Sequence, residues 1–130
     1  MPIYAEIIKN CPDQDASDLE ILYPGESEQL LARAQSDKLL LIGGRFNGRL
    51  LGALTLTPIH GGDFEMARLT VRAITRRRGV ARQLLIQTFK ILPEELETLS
   101  ADLGNAAELS ELFTEMGFKA QGNTWRWQRP

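Results

Sequence analysis

The 130-residue chain carries one cysteine, Cys11, and one histidine, His60. One cysteine closes no internal disulfide, and the pair cannot make up a Cys/His zinc site. Any nucleophile activated by a histidine must use His60. No apolar run approaches the roughly 20 residues of a membrane span. The opening residues Met1 to Asn10 lack a basic stretch before an apolar core, so no secretory signal is read there, and a cytoplasmic location is expected. An excess of one charge is also missing. Fifteen Lys and Arg stand against 17 Asp and Glu, a net charge of −2, which disfavours a generally basic nucleic-acid binder.

What is present is the composition of one globular domain, residues 1–130, with 43% hydrophobic content. A chain this long buries roughly two-thirds of its unfolded surface and needs no covalent staple. Ile3 to Lys9 reads as an opening strand. Asp13 or Asp15 can cap a helix carrying Leu19 and Leu22 that ends at Pro24-Gly25, and Ser27 can cap a second with Leu30, Leu31 and Ala34 on one face. Lys38 to Phe46 and Arg49 to Thr57 are apolar runs joined by Asn47-Gly48, the strongest two-residue hairpin signal. Pro58 to Asp63, with His60, reads as a turn. Phe64 to Arg72 follows as a strand with Ala67, Leu69 and Val71 expected on one face.

The apolar period then changes. Val80, Leu84, Leu85, Thr88 and Leu92 predict a helix from Arg78 or Gly79 to Pro93. Glu95 to Ala101 reads as a strand, and Asp102 or Asn105 caps a helix bearing Leu109, Leu112, Phe113 and Met116 before Gly117. Phe118 to Ala120 and Thr124 to Gln128 flank Gly122-Asn123 as a closing hairpin, in which Trp125 and Trp127 are expected to pack. The order βααβββαβαββ is that of an α/β domain.

The most informative stretch joins Leu69-Thr70-Val71 to Thr75-Arg76-Arg77-Arg78-Gly79-Val80-Ala81-Arg82. An arginine run is usually a solvated face, but this one lies at a strand-to-helix junction. The first N–H groups of a helix lack intrahelical partners, the helix dipole adds positive charge there, and Gly79 leaves the backbone approachable. That is an anion site suited to a pyrophosphate. It is neither a Walker A loop nor a GxGxxG loop. No aromatic residue interleaves Leu69 to Gln83, so base stacking on single-stranded RNA is not expected.

Arg76-x-x-Gly79-x-Ala81 after such a strand resembles the acyl-CoA motif of the GNAT superfamily of N-acetyltransferases. The element order and Leu112 to Phe118 are similar to that fold along nearly the whole chain. The resemblance implies a mostly antiparallel twisted sheet with helices on both faces. It implies that acetyl-CoA or CoA is the ligand. Its pantetheine arm would lie along Leu69, Thr70 and Val71, and its phosphates on Thr75, Arg76, Arg77, Arg78, Gly79, Val80, Ala81 and Arg82.

Further blocks narrow the resemblance: Asp13-Gln14-Asp15, Asp18-Leu19, Tyr23-Pro24, Arg45-Phe46-Asn47-x-Arg49-Leu50-Leu51, Leu69-x-Val71-Arg72 and Thr75 to Val80. They are similar to a small group in the superfamily, the acetyl-CoA-sensing maturation factors of aspartate 1-decarboxylase (the PanZ or PanM group). Membership implies a non-catalytic regulator, monomeric when free. It would bind the decarboxylase precursor in a CoA-dependent way, promote its self-cleavage, and inhibit the mature enzyme. The resemblance puts Asn47 near the acyl group and partner surface, where a plain type I′ turn explains it equally well; Arg45 and Arg49 could serve CoA, the partner or only water.

The residue chemistry bears on catalysis too. Acetyl transfer needs a base for the amine and usually an acid for the leaving thiolate. The superfamily's usual acid is a tyrosine at the position of Phe113, and phenylalanine donates no proton. Glu65 stands where some transferases keep a carboxylate base, so a transferase of small-molecule or protein amines stays the alternative, with no metal in either case.

Overall fold

The structure, a computed structural model, describes residues 2–73, 79–102 and 109–130. Among these residues, eleven elements follow in the expected order: β1 (Tyr4–Ile7), α1 (Asp13–Leu22), α2 (Ser27–Gln35), β2 (Leu40–Phe46), β3 (Arg49–His60), β4 (Asp63–Val71), α3 (Val80–Phe89), β5 (Thr98–Ala101), α4 (Ser110–Glu115), β6 (Lys119–Gln121) and β7 (Thr124–Gln128). The strands form one sheet in the order β1-β2-β3-β4-β5-β7-β6. Among the described strands only β4 and β5 pair in parallel, as a crossover connection through α3 requires.

Three expectations need correction. β3 runs on through Pro58, Ile59 and His60, and His60 pairs with Asp63 around Gly61-Gly62, so His60 belongs to a strand end and not to a turn. The N-cap of α1 is Pro12 and that of α2 is Glu26, neither with a side-chain cap; Asp13 and Asp15 fall inside the first turn of α1, where they suit the dipole. Third, Ala67 does not share a face with Leu69 and Val71. Thr55 pairs with Ala67 but Ala53 with Thr70, so β4 carries an extra residue, and Arg68 takes φ +56°. This is a β-bulge, which reverses side-chain parity along the strand.

The two faces bury separate clusters. On the α1 and α2 side lie Leu19, Leu22, Leu30, Leu41, Leu50 and Ala53. On the α3 and α4 side, Leu54, Leu56, Met66, Leu84, Leu85, Leu99, Phe113 and Trp127 pack together, with Trp127 edge-on to Phe89. Each fully buried Leu contributes roughly 1.5–3 kcal/mol. Two glycines lie under α3: a Cβ on Gly44 would stand 3.2 Å from Leu84 Cδ1, and one on Gly52 would stand 3.4 Å from Leu84 Cδ2 and 3.0 Å from Thr70 O of the neighbouring strand. Gln83 on the same helix accepts a 3.0 Å hydrogen bond from Ile3 N. The start of α3 is thereby set against β1, β3 and β4. Among the described residues no helix is long and apolar enough to cross a membrane, and no group of His, Cys, Asp and Glu could hold a metal ion.

Candidate functional site

β4 and β5 pair only from Asp63–Thr98 to Met66–Ala101. Beyond Met66, β4 continues through Val71 with no strand on that side among the described residues. A cleft of about 160 Å³ opens where the strands part, bounded by Met66, Arg68 and Leu69 on one wall and Ala101, Leu109 and Phe113 on the other. Phe113 is buried and stacked on Phe118, with centroids 4.6 Å apart, so its ring closes the cleft with carbon alone. A neighbouring mouth is bounded by Glu65, Ser100 and Thr124, and Glu65 is exposed. Leu69 packs partly against the main core, and Val71 against Ile3, Leu51 and Val80. Their backbone is therefore anchored from one side, while on the β5 side no strand pairs with it among the described residues.

The entry of α3 lies at the end of that strand. Gly79 is its N-cap with φ +74°, a left-handed conformation that disfavours a side chain by roughly 1–2 kcal/mol. Gln83 N donates to Gly79 O at 3.0 Å, which begins the helical ladder. The helix supplies no carbonyl to the N–H groups of Val80, Ala81 and Arg82. Among the described residues, a Cβ on Gly79 would meet nothing within 4 Å. Val80 is fully buried, and Arg82 is half exposed and bonded to Glu115 of α4. Thr75, Arg76, Arg77 and Arg78 lie outside the described residues.

A second polar cluster surrounds the β2–β3 hairpin. Asn47 and Gly48 take φ of 50° and 78°, the type I′ turn that their sequence signals. Arg45 grips both oxygens of Asp15 at 3.0 and 2.8 Å, and also Glu6 at 2.7 Å and Gly48 O at 3.0 Å. The fork on Asp15, followed by Glu6, pushes the Arg45 pKa up. Asp18 is fully buried and accepts from Arg49 at 2.6 Å, Leu50 N at 3.0 Å and Gln14 at 3.2 Å. Burial opposes its charge, but the hydrogen bonds from Arg49 and Leu50 outweigh it and hold the carboxyl below the ordinary aspartate value. Arg45 and Arg49 thus pair inside the chain. Asn47 keeps its turn role and the exposed tip.

Tyr23, just past the end of α1, is the residue that the spacing of apolar positions does not reveal. Its hydroxyl donates to Arg68 O at 2.8 Å, and the Arg68 guanidinium reaches Glu26 at 2.5 Å. Burial pushes the phenol up, so it remains a donor at neutral pH.

A parted strand pair beside a helix entry can be weighed against known proteins. Residues 2–126 match the family model of the acetyltransferase (GNAT) domain PanZ. The chain belongs to the PanZ family. It is 32% identical over 114 residues to the PanD regulatory factor of Salmonella typhimurium, covering 86% of this chain and 87% of that one. It is 33% identical over 115 residues to the PanD regulatory factor of Escherichia coli, covering 87% and 88%. Among solved structures, the Escherichia coli protein YhhK bound to coenzyme A superposes with a TM-score of 0.74 at 26% identity, covering 99% of this chain and all of that one. The closer PanZ resemblance had a signal for the hairpin cluster and for Tyr23. Its blocks include Asp15, Asp18, Tyr23, Arg45 and Arg49, and all five make the polar contacts just described.

Proposed function

We propose that residues 1–130 form one acyl-CoA-sensing domain that regulates aspartate 1-decarboxylase, the partner that the PanD regulatory factors are named for. The observation that carries this reading is the parting of β4 from β5 just before the first turn of α3. Leu69, Thr70 and Val71 would run along the pantetheine arm, and the N–H groups of Val80, Ala81 and Arg82 would receive the pyrophosphate, with Arg76, Arg77 and Arg78 adding charge. The thioester is the only chemistry the ligand brings, and Phe113 offers it no proton. The domain then binds the ligand without consuming it. For the ligand to act on the partner it must bind the docking-competent state more tightly than the other, and CoA and decarboxylase must raise each other's affinity by the same factor.

A transferase reading has one observation in its favour: Glu65 is exposed at the mouth of the cleft and could accept an amine proton. The test is co-purification of the decarboxylase precursor with this protein, with and without CoA, alongside an amine-acetylation assay. CoA-dependent capture and faster precursor cleavage, with acetyl-CoA left intact, support the regulator. Robust amine acetylation without CoA-dependent capture would replace it with the transferase.

A further inference from the structure

Resting on that acyl-CoA reading, we propose that Tyr23 and Glu26 are positioning residues that set the cleft edge of β4 through Arg68. Arg68 is a non-glycine residue at φ +56° in the middle of a strand. Such a conformation persists only where its surroundings over-determine it. The bulge takes Arg68 out of register with β3, since the pairing passes from Ala53–Thr70 to Thr55–Ala67. Its backbone and its side chain are instead both held by the α1–α2 corner: Tyr23 Oη donates to Arg68 O at 2.8 Å, and Glu26 Oε1 accepts from Arg68 Nη1 at 2.5 Å.

The corner is itself anchored. Tyr23 is only 4% exposed and donates its N–H to Leu19 O at 2.8 Å, while Glu26 N donates to Tyr23 O at 3.0 Å. One turn earlier, Asp18 ties α1 to Leu50 N of β3. Arg68 lines the cleft together with its neighbours on β4, Ala67 and Leu69. Holding the Arg68 carbonyl therefore fixes how β4 presents that edge to a ligand. Without the hydroxyl, the bulge samples other arrangements, and apparent affinity falls by the fraction that remains competent.

Tyr23→Phe keeps the ring and deletes only the donor. Its calorimetric titration with acetyl-CoA, which would reach β4, is set against 3′-phosphoadenosine 5′-diphosphate, which would reach only the α3 entry. Relative to the unmodified protein, Tyr23→Phe should bind acetyl-CoA about tenfold more weakly and Glu26→Gln about threefold, with the affinity for 3′-phosphoadenosine 5′-diphosphate unchanged in both. In the ligand-free protein, amide resonances of Arg68 and Leu69 should shift in Tyr23→Phe. Equal losses for both ligands, or unchanged acetyl-CoA affinity, would overturn the proposal and leave the CoA reading standing. If the unmodified protein binds neither ligand, the CoA reading falls, and unshifted Arg68 and Leu69 amides sink the clamp as well. Should Tyr23→Phe fail to fold, Glu26→Gln decides by the same two-ligand split.

Discussion

Two arginine-bearing turns look alike in the sequence and differ in the fold. At the β2–β3 hairpin, Arg45 and Arg49 face Asp15, Glu6 and Asp18, and their charge closes α1 onto the sheet. At the β4–α3 junction, the helix supplies no carbonyl to the N–H groups of Val80 to Arg82, and among the described residues nothing lies within 4 Å of a Cβ on Gly79. The hairpin uses its polar side chains on itself, while the helix entry bears N–H groups that the helix does not satisfy. An arginine held by a carboxylate is not free to serve an anion, and this applies also to Arg82 at the helix entry, which is bonded to Glu115. Asp18 and Asp15 decide that for the hairpin, from a helix more than 25 residues away in the chain.

The largest expected effect comes from opening the closed region. Asp18→Ala would orphan a buried N–H on Leu50 and the Arg49 guanidinium, costing about 3 kcal/mol. Arg49 is partly exposed and can turn to water, which keeps the loss below the top of the range for a buried pair. Urea unfolding measures it, and an unchanged midpoint would show that the hairpin lock stabilises nothing. At the helix entry, Gly79→Asn should weaken CoA binding about 30-fold, roughly 2 kcal/mol. Asparagine tolerates positive φ, so the unfolding midpoint should barely move. Unchanged CoA affinity in that variant would remove the phosphate role of the α3 entry.

A smaller effect follows from pH. The folded Asp18 carboxyl titrates below its unfolded value, so its stabilisation is complete above the ordinary aspartate pKa of about 3.9 and is lost as pH falls through the folded value. Asp18→Asn should therefore show a shallower loss of stability in acid, read from thermal midpoints between neutral pH and the acid limb. Phe113→Tyr should do least. It restores a hydroxyl at the cleft wall, yet no efficient amine acetylation should appear, because an acid without a positioned acceptor aligns no nucleophile. Efficient turnover in that variant would mean that the cleft already holds an acceptor site.

Much of the fold was legible in residue order. Asn47-Gly48 announced its hairpin, the apolar period changed where α3 begins, and Leu112, Phe113 and Gly117 marked the end of α4. The bulge at Arg68 was not legible, because β-pairing register is a relation between two strands and leaves no period in one of them. The extension of β3 through Pro58 and His60 was missed for a related reason: proline and glycine read as turn residues until a paired strand claims them. Of the site, Gly79 and the strand before it could be found from their spacing, and Asp102 or Asn105 as a helix cap could not be checked, since residues 103–108 lie outside the described residues.

By itself, then, the sequence determined the α/β order, a glycine at the mouth of α3, and a phenyl ring where the superfamily keeps a phenol. Those are local properties, set by backbone sterics and by the chemistry of single side chains. Only the tertiary structure decided that Arg45 and Arg49 are neutralised by α1, that β4 leaves β5 after Met66, and that Tyr23 reaches Arg68 from 45 residues away. Each depends on which groups are brought face to face once apolar surface is buried, and a partner distant in the chain has no signature in the residues beside it.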